Sequence, residues 1–390
     1  MRAGARMTKT TGDIREMPAQ STAEQRAPYA PAELQAILAG HERYVLGRGG
    51  VRASFKGALL DGVDLSNRKL DEADFTGASL TGVNLNGASL TRASLYCANL
   101  RRTTLQHARL EQADLRGASF RGADLSHAVL DNADLRAAKM MLVGEAGVSV
   151  VNHGKDDSVF GGVDFSNCSL RHSSFGKAKL DGAIFDGAML VGTNFRGARL
   201  TNASFTGAVL MGVNMQDLDL PREAFAGCIF DISPQARAKA QGLAEAISQH
   251  HRWVSSNGAD GSVACLDGED LRPLMGHFQG RNLAGLSARG AIAIGLDFSK
   301  SQLQGTKFDG ADLRGANFSD TDLSGVSFHV ARLAHARFTS ARLSNLHLRH
   351  GETLAPNFLG ADATPEQFAD AVLEESLAAL GLSGGVEVEL

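Results

Sequence analysis

The 390-residue chain has few members of several residue types. It contains one Trp and three Tyr, although it contains 19 Phe. Hydrophobic cores normally draw on all three aromatic types, so this bias indicates that Phe is selected by position. The four Cys have unrelated spacings and form no CxxC pair. This spacing argues against both a disulfide framework and a zinc site.

The chain also lacks an excess of either charge and any long apolar run. Its 39 basic and 43 acidic residues give a net charge of −4, which argues against direct nucleic-acid binding. No apolar run approaches the roughly 20 residues that a membrane-spanning helix needs. The polar N-terminus has no signal-peptide core. We therefore expect a soluble, cytoplasmic protein with no membrane span.

What the sequence does contain is a period of five residues. An apolar residue recurs at every fifth position over residues 55–140, and the same frame resumes over residues 160–230. A second frame covers residues 298–348. A small residue, usually Ala, stands two positions before most of these apolar centres. Neither the 3.6-residue period of a helix nor the two-residue period of a strand explains this pattern.

The repeated unit reads A-[D/N/S]-[L/F]-[S/T/R]-G, as at residues 113–117 and 311–315. These residues resemble the pentapeptide-repeat family over more than half of the chain. The resemblance implies a mainly β fold, a right-handed quadrilateral β-helix with four pentapeptides per coil. It also implies that the Leu and Phe centres point inward. One unit buries too little to fold alone, but stacked coils cover one another.

The order of the centres is consistent with four units per coil. Over residues 165–210, Phe and Leu centres alternate. With four faces per coil, this alternation predicts that Phe stacks on Phe on two opposite faces. Residues 141–159 interrupt the repeat for the length of one coil. They are predicted to be either an irregular coil or a loop that leaves the stack in register.

Two repeat regions are each preceded by a predicted helix. Several pairs recur at one constant offset, among them Leu34 with Leu243 and His41 with His250, which indicates an internal duplication. The predicted organisation is a disordered N-terminus (1–28), a capping helix (29–50), a first solenoid (51–230), a linker helix (231–265), a second solenoid (266–350), and an acidic C-terminal helix and tail (351–390).

The C-terminal segment is predicted to be helical. Thr364 and Gln367 form a capping-box pattern, and the apolar spacing through Leu380 predicts a helix that ends at Gly381. This helix would cap the second solenoid or form a homodimer contact.

No nucleophile elbow, metalloprotease helix, phosphate loop or dinucleotide fingerprint is present in the sequence. Asp114, Asp124 and Asp134 recur with the repeat and are interpreted as turn residues that accept nearby backbone amides. His107 and His127 should stack one coil apart, and without an acidic partner they are interpreted as a surface coincidence. We therefore expect no catalytic residue, no metal and no cofactor.

The remaining His and Cys residues are given structural roles. His41 and His250 lie in the predicted capping helices and are expected to satisfy a terminal backbone group. Cys168 and Cys228 occupy the small-residue position and are expected to be inert.

Charged residues at outward positions form predicted columns. Four Arg fall in two adjacent columns that are predicted as a patch for an acidic partner: Arg101, Arg121, Arg116 and Arg136. A further column is acidic: Asp71, Glu111 and Asp131. The interpretation we favour is that these faces only keep the solenoid soluble, and the patch for an acidic partner is the alternative.

The favoured function is a non-catalytic scaffold that binds an unidentified protein. A first alternative is a DNA-mimicking protein that binds a topoisomerase such as gyrase. Mimicry needs a strongly acidic surface, whereas the repeats are nearly neutral and the acidity concentrates in residues 351–390. A second alternative is a secreted or translocated effector, which the long polar N-terminus suggests.

Overall fold

The computed structural model describes residues 14–16, 29–144, 147–151, 162–376 and 378–382. The chain divides into two compact units, Met1–Asp231 and Ile232–Leu390.

The first unit is a stack of coils joined by isolated parallel bridges rather than by long strands. Within one coil, four bridges connect residues 20 positions apart: Ser54 with Asp74, Leu59 with Ser79, Asp64 with Asn84, and Lys69 with Ser89. A turn separates each bridge from the next. At these turns the second residue after the centre has a positive φ, as at Gly77 (67°) and Asn67 (56°). Glycine adopts this conformation without a steric penalty, which explains its frequency in the repeat.

The apolar centres fill the inside of the stack. Leu115 and Phe120 have no exposed surface, and Ala113 and Ala118 are buried beside them. The predicted stacking of Phe on Phe is confirmed by the rings of Phe165, Phe175, Phe185 and Phe195. Rings one coil apart lie 5.0 and 5.2 Å apart and are nearly parallel, whereas rings on opposite faces meet edge to face at 5.6–5.7 Å.

The described part of the interruption forms two paired strands that do not belong to the coil ladder. Strands β2 (Lys139–Gly144) and β3 (Gly147–Val151) pair antiparallel. Strand β1 (Ile14–Glu16) pairs in parallel with the start of β2. The coil ladder continues past the insertion, because Asp124 bridges directly to Asp164. The segment 1–28 is predicted to be disordered. Only the residues of β1 in this segment belong to the described part of the chain.

Among the described residues, each unit contains one α-helix. Helix α1 spans Pro31–Val45 and helix α2 spans Pro234–Ser255, and both begin with Pro, whose missing N–H costs no helical bond there. Ser233 caps α2 by accepting the Ala236 amide at 3.1 Å. Leu38 in α1 and Ile247 in α2 are fully buried in the core of their own unit. Two short 3₁₀ helices, Met215–Asp217 and Arg222–Phe225, follow the last regular coils of the first unit.

The second unit contains the same ladder in a different frame. Its first bridge joins Cys265 to Ser287, two residues more than a regular coil, and later bridges such as Asn282 with Gln302 return to 20. A 3₁₀ helix at Arg272–Leu274 lies in this first, longer coil.

The C-terminal segment continues the solenoid, so the prediction of an α-helix there is wrong for the described residues. The capping box at Thr364 and Gln367 is present, but it opens only a short 3₁₀ helix, Pro365–Phe368. Phe358 and Phe368 are buried, and their rings lie 5.0 and 4.5 Å from those of Phe328 and Phe338 in the coil below. Burial of these two aromatic rings outweighs the local helical pattern. The predicted homodimer contact through this helix loses its basis.

Short strands accompany this last coil. Strand β4 (Arg342–Leu343) pairs in parallel with β7 (Val372–Leu373). Between them, β5 (Leu346–His347) and β6 (Thr353–Leu354) form an antiparallel hairpin. This hairpin supplies the additional residues between β4 and β7, and the repeat extends beyond the predicted boundary at residue 350.

Candidate interaction surface

The turns of each coil are fixed by side chains that face outward. The carboxylates of Asp114, Asp124 and Asp134 accept the backbone amide two residues later at 3.3, 2.9 and 3.2 Å. Their predicted role as turn residues is confirmed. Such a bond holds the following residues at a corner, where their side chains can project from the coil.

The predicted columns follow the coil register. The amide of Arg102 donates to the carbonyl of Arg121 at 3.1 Å, and the amide of Gly117 donates to that of Arg136 at 3.0 Å. The turn containing Arg101 therefore lies against the turn of Arg121, and the turn of Arg116 lies against that of Arg136.

Arg116 is not part of an exposed patch, so that prediction is wrong for this residue. Its side chain is only 9 % exposed. Nε and Nη2 donate to the two carboxylate oxygens of Asp114, each at 2.8 Å. The guanidinium carbon lies 5.3 Å from the centre of the Tyr96 ring. This two-bonded ion pair, stacked on the Tyr96 ring, is a structural contact, because little of the Arg116 guanidinium is exposed to solvent.

Arg136 is half exposed but also engaged. Its Nη2 donates to Asp134 at 2.7 Å and its Nε at 2.9 Å. The same Asp-Leu-Arg spacing gives the same pair in the second unit, at Asp270 with Arg272 and at Asp312 with Arg314. The Arg314 side chain is completely buried. An Asp two positions before the Arg is thus the sequence signal for this forked ion pair.

Three arginines lie at a different corner of the first unit. Arg101 is partly exposed, and Arg102 and Arg121 are exposed. None of them follows an Asp at the spacing that produces the fork. We call Arg101, Arg102 and Arg121 the basic corner.

The acidic column is engaged by neighbouring side chains. Asp71 accepts the Ser89 hydroxyl at 2.5 Å, and Asp131 accepts the Ser169 hydroxyl at 2.5 Å. Glu111 accepts the Thr91 hydroxyl of the adjacent coil at 3.2 Å and Arg109 of its own coil at 2.9 Å. These carboxylates brace adjacent coils, so they do not form the open, regularly spaced acidic surface that imitation of duplex DNA needs.

Comparison with known proteins identifies the repeat. The model of the family described as pentapeptide repeats matches the chain in eight copies, over residues 58–96, 69–106, 98–136, 157–187, 188–222 and 306–345. The chain belongs to the pentapeptide-repeat family. Family membership implies a right-handed β-helix. No curated protein matches the chain.

Three solved structures are similar to this chain: a fluoroquinolone resistance protein and two pentapeptide-repeat proteins. Full-length QnrB1, a plasmid-mediated fluoroquinolone resistance protein, is 19% identical over 50% of this chain and 98% of its own, with a TM-score of 0.18. A thylakoid-lumen protein from Arabidopsis thaliana is 17% identical over 48% and 76%, with a TM-score of 0.20. HetL from Nostoc sp., involved in heterocyst differentiation regulation, is 21% identical over 88% and 92%, with a TM-score of 0.13.

Two histidines stack on the outside of this pentapeptide-repeat solenoid. The rings of His107 and His127 lie 5.2 Å apart with an angle of 15° between their planes, which confirms the predicted stacking. Within the described ranges, no group of three or more His, Cys, Asp or Glu residues is placed to hold a metal ion.

The two buried cysteines, Cys97 and Cys168, are poor nucleophiles. Burial raises the pKa of Cys97 to about 11 and that of Cys168 well above its usual range. The Cys168 thiol donates to the Leu125 carbonyl at 2.8 Å, and the Cys228 thiol donates to the Phe205 carbonyl at 2.8 Å. Because the thiolate is the reactive form, the raised pKa of Cys168 fits the inert role predicted for this residue. Cys228, for which the same role is predicted, is only partly buried.

The helices that precede both pentapeptide-repeat regions are held by histidine. His41 accepts the Ala53 amide at 3.0 Å, and His250 accepts the Ala264 amide at 3.1 Å. Their predicted role, to satisfy backbone groups of the first coil, is confirmed. None of the helices in the described residues is long and apolar enough to cross a membrane.

Proposed function

We propose that this pentapeptide-repeat protein is a non-catalytic scaffold whose basic corner binds an acidic segment of a partner protein. The observation that carries the proposal is the concentration of Arg101, Arg102 and Arg121 at one corner of two consecutive coils. Arg116 and Arg136 lie at another corner, and each pairs with an Asp of its own coil.

The chemistry of the corner favours a carboxylate-bearing partner. Guanidinium groups donate two parallel hydrogen bonds to a carboxylate, which gives both attraction and a defined orientation. Coils of a β-solenoid repeat about every 4.8 Å, so Arg101 and Arg121 offer these donors at a short, regular interval. The rigid stack fixes this interval before the partner arrives, which lowers the entropic cost of binding.

We further propose that the coils form a right-handed, four-sided β-helix and that the two units are independent modules. Four bridges per coil support the first proposal. The separate hydrophobic clusters, each with its own helix, support the second. Expression of residues 232–390 alone tests the independence of the second module.

A charge-reversal experiment tests the function. The variant Arg102→Glu/Arg121→Glu is compared with Lys177→Glu/Arg196→Glu, which makes the same charge change at exposed turn positions of another corner. Proteins captured from a lysate of the source organism are quantified at low and high salt. We expect the basic-corner variant to lose a partner that the control variant retains. Binding of this partner to the wild type should weaken as the salt concentration rises.

The other outcomes separate the alternatives. Equal capture by both variants in low salt would show that the basic corner is only a solvated face. Inhibition of gyrase supercoiling by the purified protein, unchanged in the basic-corner variant, would favour the topoisomerase-binding alternative. We expect no such inhibition.

A further inference from the structure

Two histidines in two separate units have matching surroundings. His41 in α1 and His250 in α2 are fully buried. The Nδ1 atom of each accepts a backbone amide from the first coil of its unit, Ala53 at 3.0 Å and Ala264 at 3.1 Å. A neutral imidazole nitrogen can accept this bond, whereas a protonated one cannot.

The second ring nitrogen of His250 completes a link between coils. Nε2 lies 3.2 Å from the carbonyl oxygen of Ala284. Since Nδ1 accepts a bond, the proton of the neutral ring is assigned to Nε2, which donates to Ala284. The ring therefore joins the first coil, through Ala264, to the following one. At His41, Nε2 makes no hydrogen bond with the described residues, although the carbonyls of Leu70 and Asp71 favour its protonated form.

The backbone beside each histidine is held in the same way. The amide of Val51 donates to the carbonyl of Gly40, and the amide of Ser262 donates to that of Gln249, both at 3.3 Å. A Cβ added to the glycine preceding each donor would lie 2.2 Å from that carbonyl oxygen. The chain thus passes close over the end of each helix, which places the amide that the imidazole meets.

The charges around the two rings do not compensate a buried positive charge well. At His250, burial lowers the pKa, and the carbonyls of Ala284 and Leu283 only partly oppose this. On α2, Lys239 pairs with Glu269 and Arg252 with Glu245, and beside the helix Arg272 pairs with Asp270. His251, the residue after His250, accepts the Asn282 amide at its Nδ1 at 3.0 Å.

At His41, burial again lowers the pKa. The carboxylate of Asp71 opposes this effect, and the guanidinium of Arg52 adds to it. The Tyr44 ring, 5.9 Å away, carries a hydroxyl that donates to Glu72. Both histidines are therefore held neutral in the folded protein.

We propose that protonation of His41 and His250 in mildly acidic solution releases the capping helices from the ends of their solenoids. A proton on Nδ1 would face the N–H of Ala53 or Ala264, donor against donor, and would place a charge in an apolar site. Release of the helix removes both penalties. It also exposes the edge of the first coil, whose unpaired backbone groups can pair with another chain.

The pH range follows from the direction of the shifts. A histidine whose folded pKa lies below its ordinary value of about 6.5 stabilises the cap fully above that pH, and this stability is lost as the pH falls below it. The carboxylates whose pKa values shift downward, including Asp74, Asp181, Asp267 and Asp297, remain ionised well below this range. The caps should therefore open before general acid unfolding.

The single Trp of the chain reports on the second cap. The centre of the Trp253 ring lies 5.9 Å from that of His250, on the same helix. The full-length protein is titrated from pH 8 to pH 5, and the emission maximum and acrylamide quenching are recorded. Intensity alone is not used, because an imidazolium quenches Trp without any opening. We expect a reversible red shift and increased quenching that begin below about pH 6.5.

Two variants assign the transition. His250→Asn keeps an oxygen that can accept the Ala264 amide but does not titrate, and it should abolish the change at Trp253. His350→Gln, which removes an exposed histidine of the same unit, should leave it unchanged. A folded His250→Asn protein with the wild-type transition would overturn the proposal. If this variant does not fold, the wild type still decides, because constant emission and acrylamide accessibility down to pH 5 would also overturn it.

Discussion

Phe165 and Phe185 stack face to face, with ring centres 5.0 Å apart and planes inclined by 6°, although 20 positions separate them in the chain. This relationship recurs at Phe175 with Phe195 and at Phe298 with Phe318. The coil is thus the unit of packing, and each centre depends on the coils above and below it.

Truncation of a stacked ring tests this dependence. Phe185→Ala removes contacts with the rings of Phe165, Phe175, Phe195 and Phe205, and we expect a loss of about 3–5 kcal/mol in unfolding free energy. Urea unfolding followed by circular dichroism measures it. Phe230→Ala is the control. Because the Phe230 side chain is 43% exposed, its removal should lower the unfolding free energy clearly less. Equal losses in the two variants would contradict the stacked core.

The buried ion pair of the second unit gives a second prediction. Arg314→Met leaves the Asp312 carboxylate, whose side chain is 11% exposed, without its main partner. We expect the free energy of unfolding to fall by about 3 kcal/mol, because removal of one partner leaves a buried charge unpaired. The double variant Arg314→Met/Asp312→Asn should recover part of this loss. Arg196→Met, at an exposed turn, should change stability little. Thermal unfolding compares these three variants with the wild type. An unchanged stability of Arg314→Met would show that the ion pair is dispensable.

The inward centres, the stacking and the turn carboxylates could be predicted from sequence because each depends on a pattern repeated many times. The outcome for Arg116 could not be obtained in this way. An outward position in the repeat says nothing about a neighbouring ring, and Tyr96, which covers the guanidinium, lies one coil away. The spacing of Asp114 and Arg116 is a sequence signal for their ion pair, but it does not predict the burial of the guanidinium.

The C-terminal error has a different origin. Local spacing favoured a helix after Thr364, whereas Phe358 and Phe368 remain in the five-residue frame of Phe338. The hairpin β5–β6 lies between Phe338 and Phe358 and interrupts the repeat pattern, which hides this continuity. Competition between a local helix and long-range aromatic burial is settled by tertiary packing, which a short window of sequence does not contain.

Val330 has an unusual backbone conformation for its residue type. Its φ is +50°, although it is β-branched and 51% exposed. Val330→Gly should raise the unfolding free energy by about 0.5–1 kcal/mol, because relief of the left-handed strain exceeds the added entropy of the unfolded chain. Val326→Gly, at a fully buried position, should lower it. A decrease for both, measured by urea unfolding, would mean that the Val330 side chain contributes more than the strain costs.

The acid sensitivity of the first unit should depend on Asp181. Burial raises the pKa of this carboxyl, but bonds from Arg199 and Thr201 outweigh it and the pKa is lowered. The resulting stability is present above the ordinary value of about 3.8 and is lost as the pH falls below it. Asp181→Asn should therefore reduce the difference in melting temperature between pH 6 and pH 3. Asp320→Asn, at an exposed turn of the second unit, should retain the full difference, and identical pH profiles for Asp181→Asn and wild type would contradict this assignment.

The coil register is tested most directly by deletion of the first hairpin. Removal of residues 140–159, one coil length, joins Lys139 to Phe160 and leaves Ala138 two positions before this new centre, so the five-residue frame becomes continuous. We expect a folded protein with wild-type circular dichroism and cooperative urea unfolding, weakened only by the loss of the buried Met140 beside Tyr96. Deletion of residues 140–157, two residues fewer, moves every later centre out of frame and should unfold the coils that follow. Equal tolerance of both deletions, or failure of both, would contradict a stack of 20-residue coils with a hairpin inserted in register.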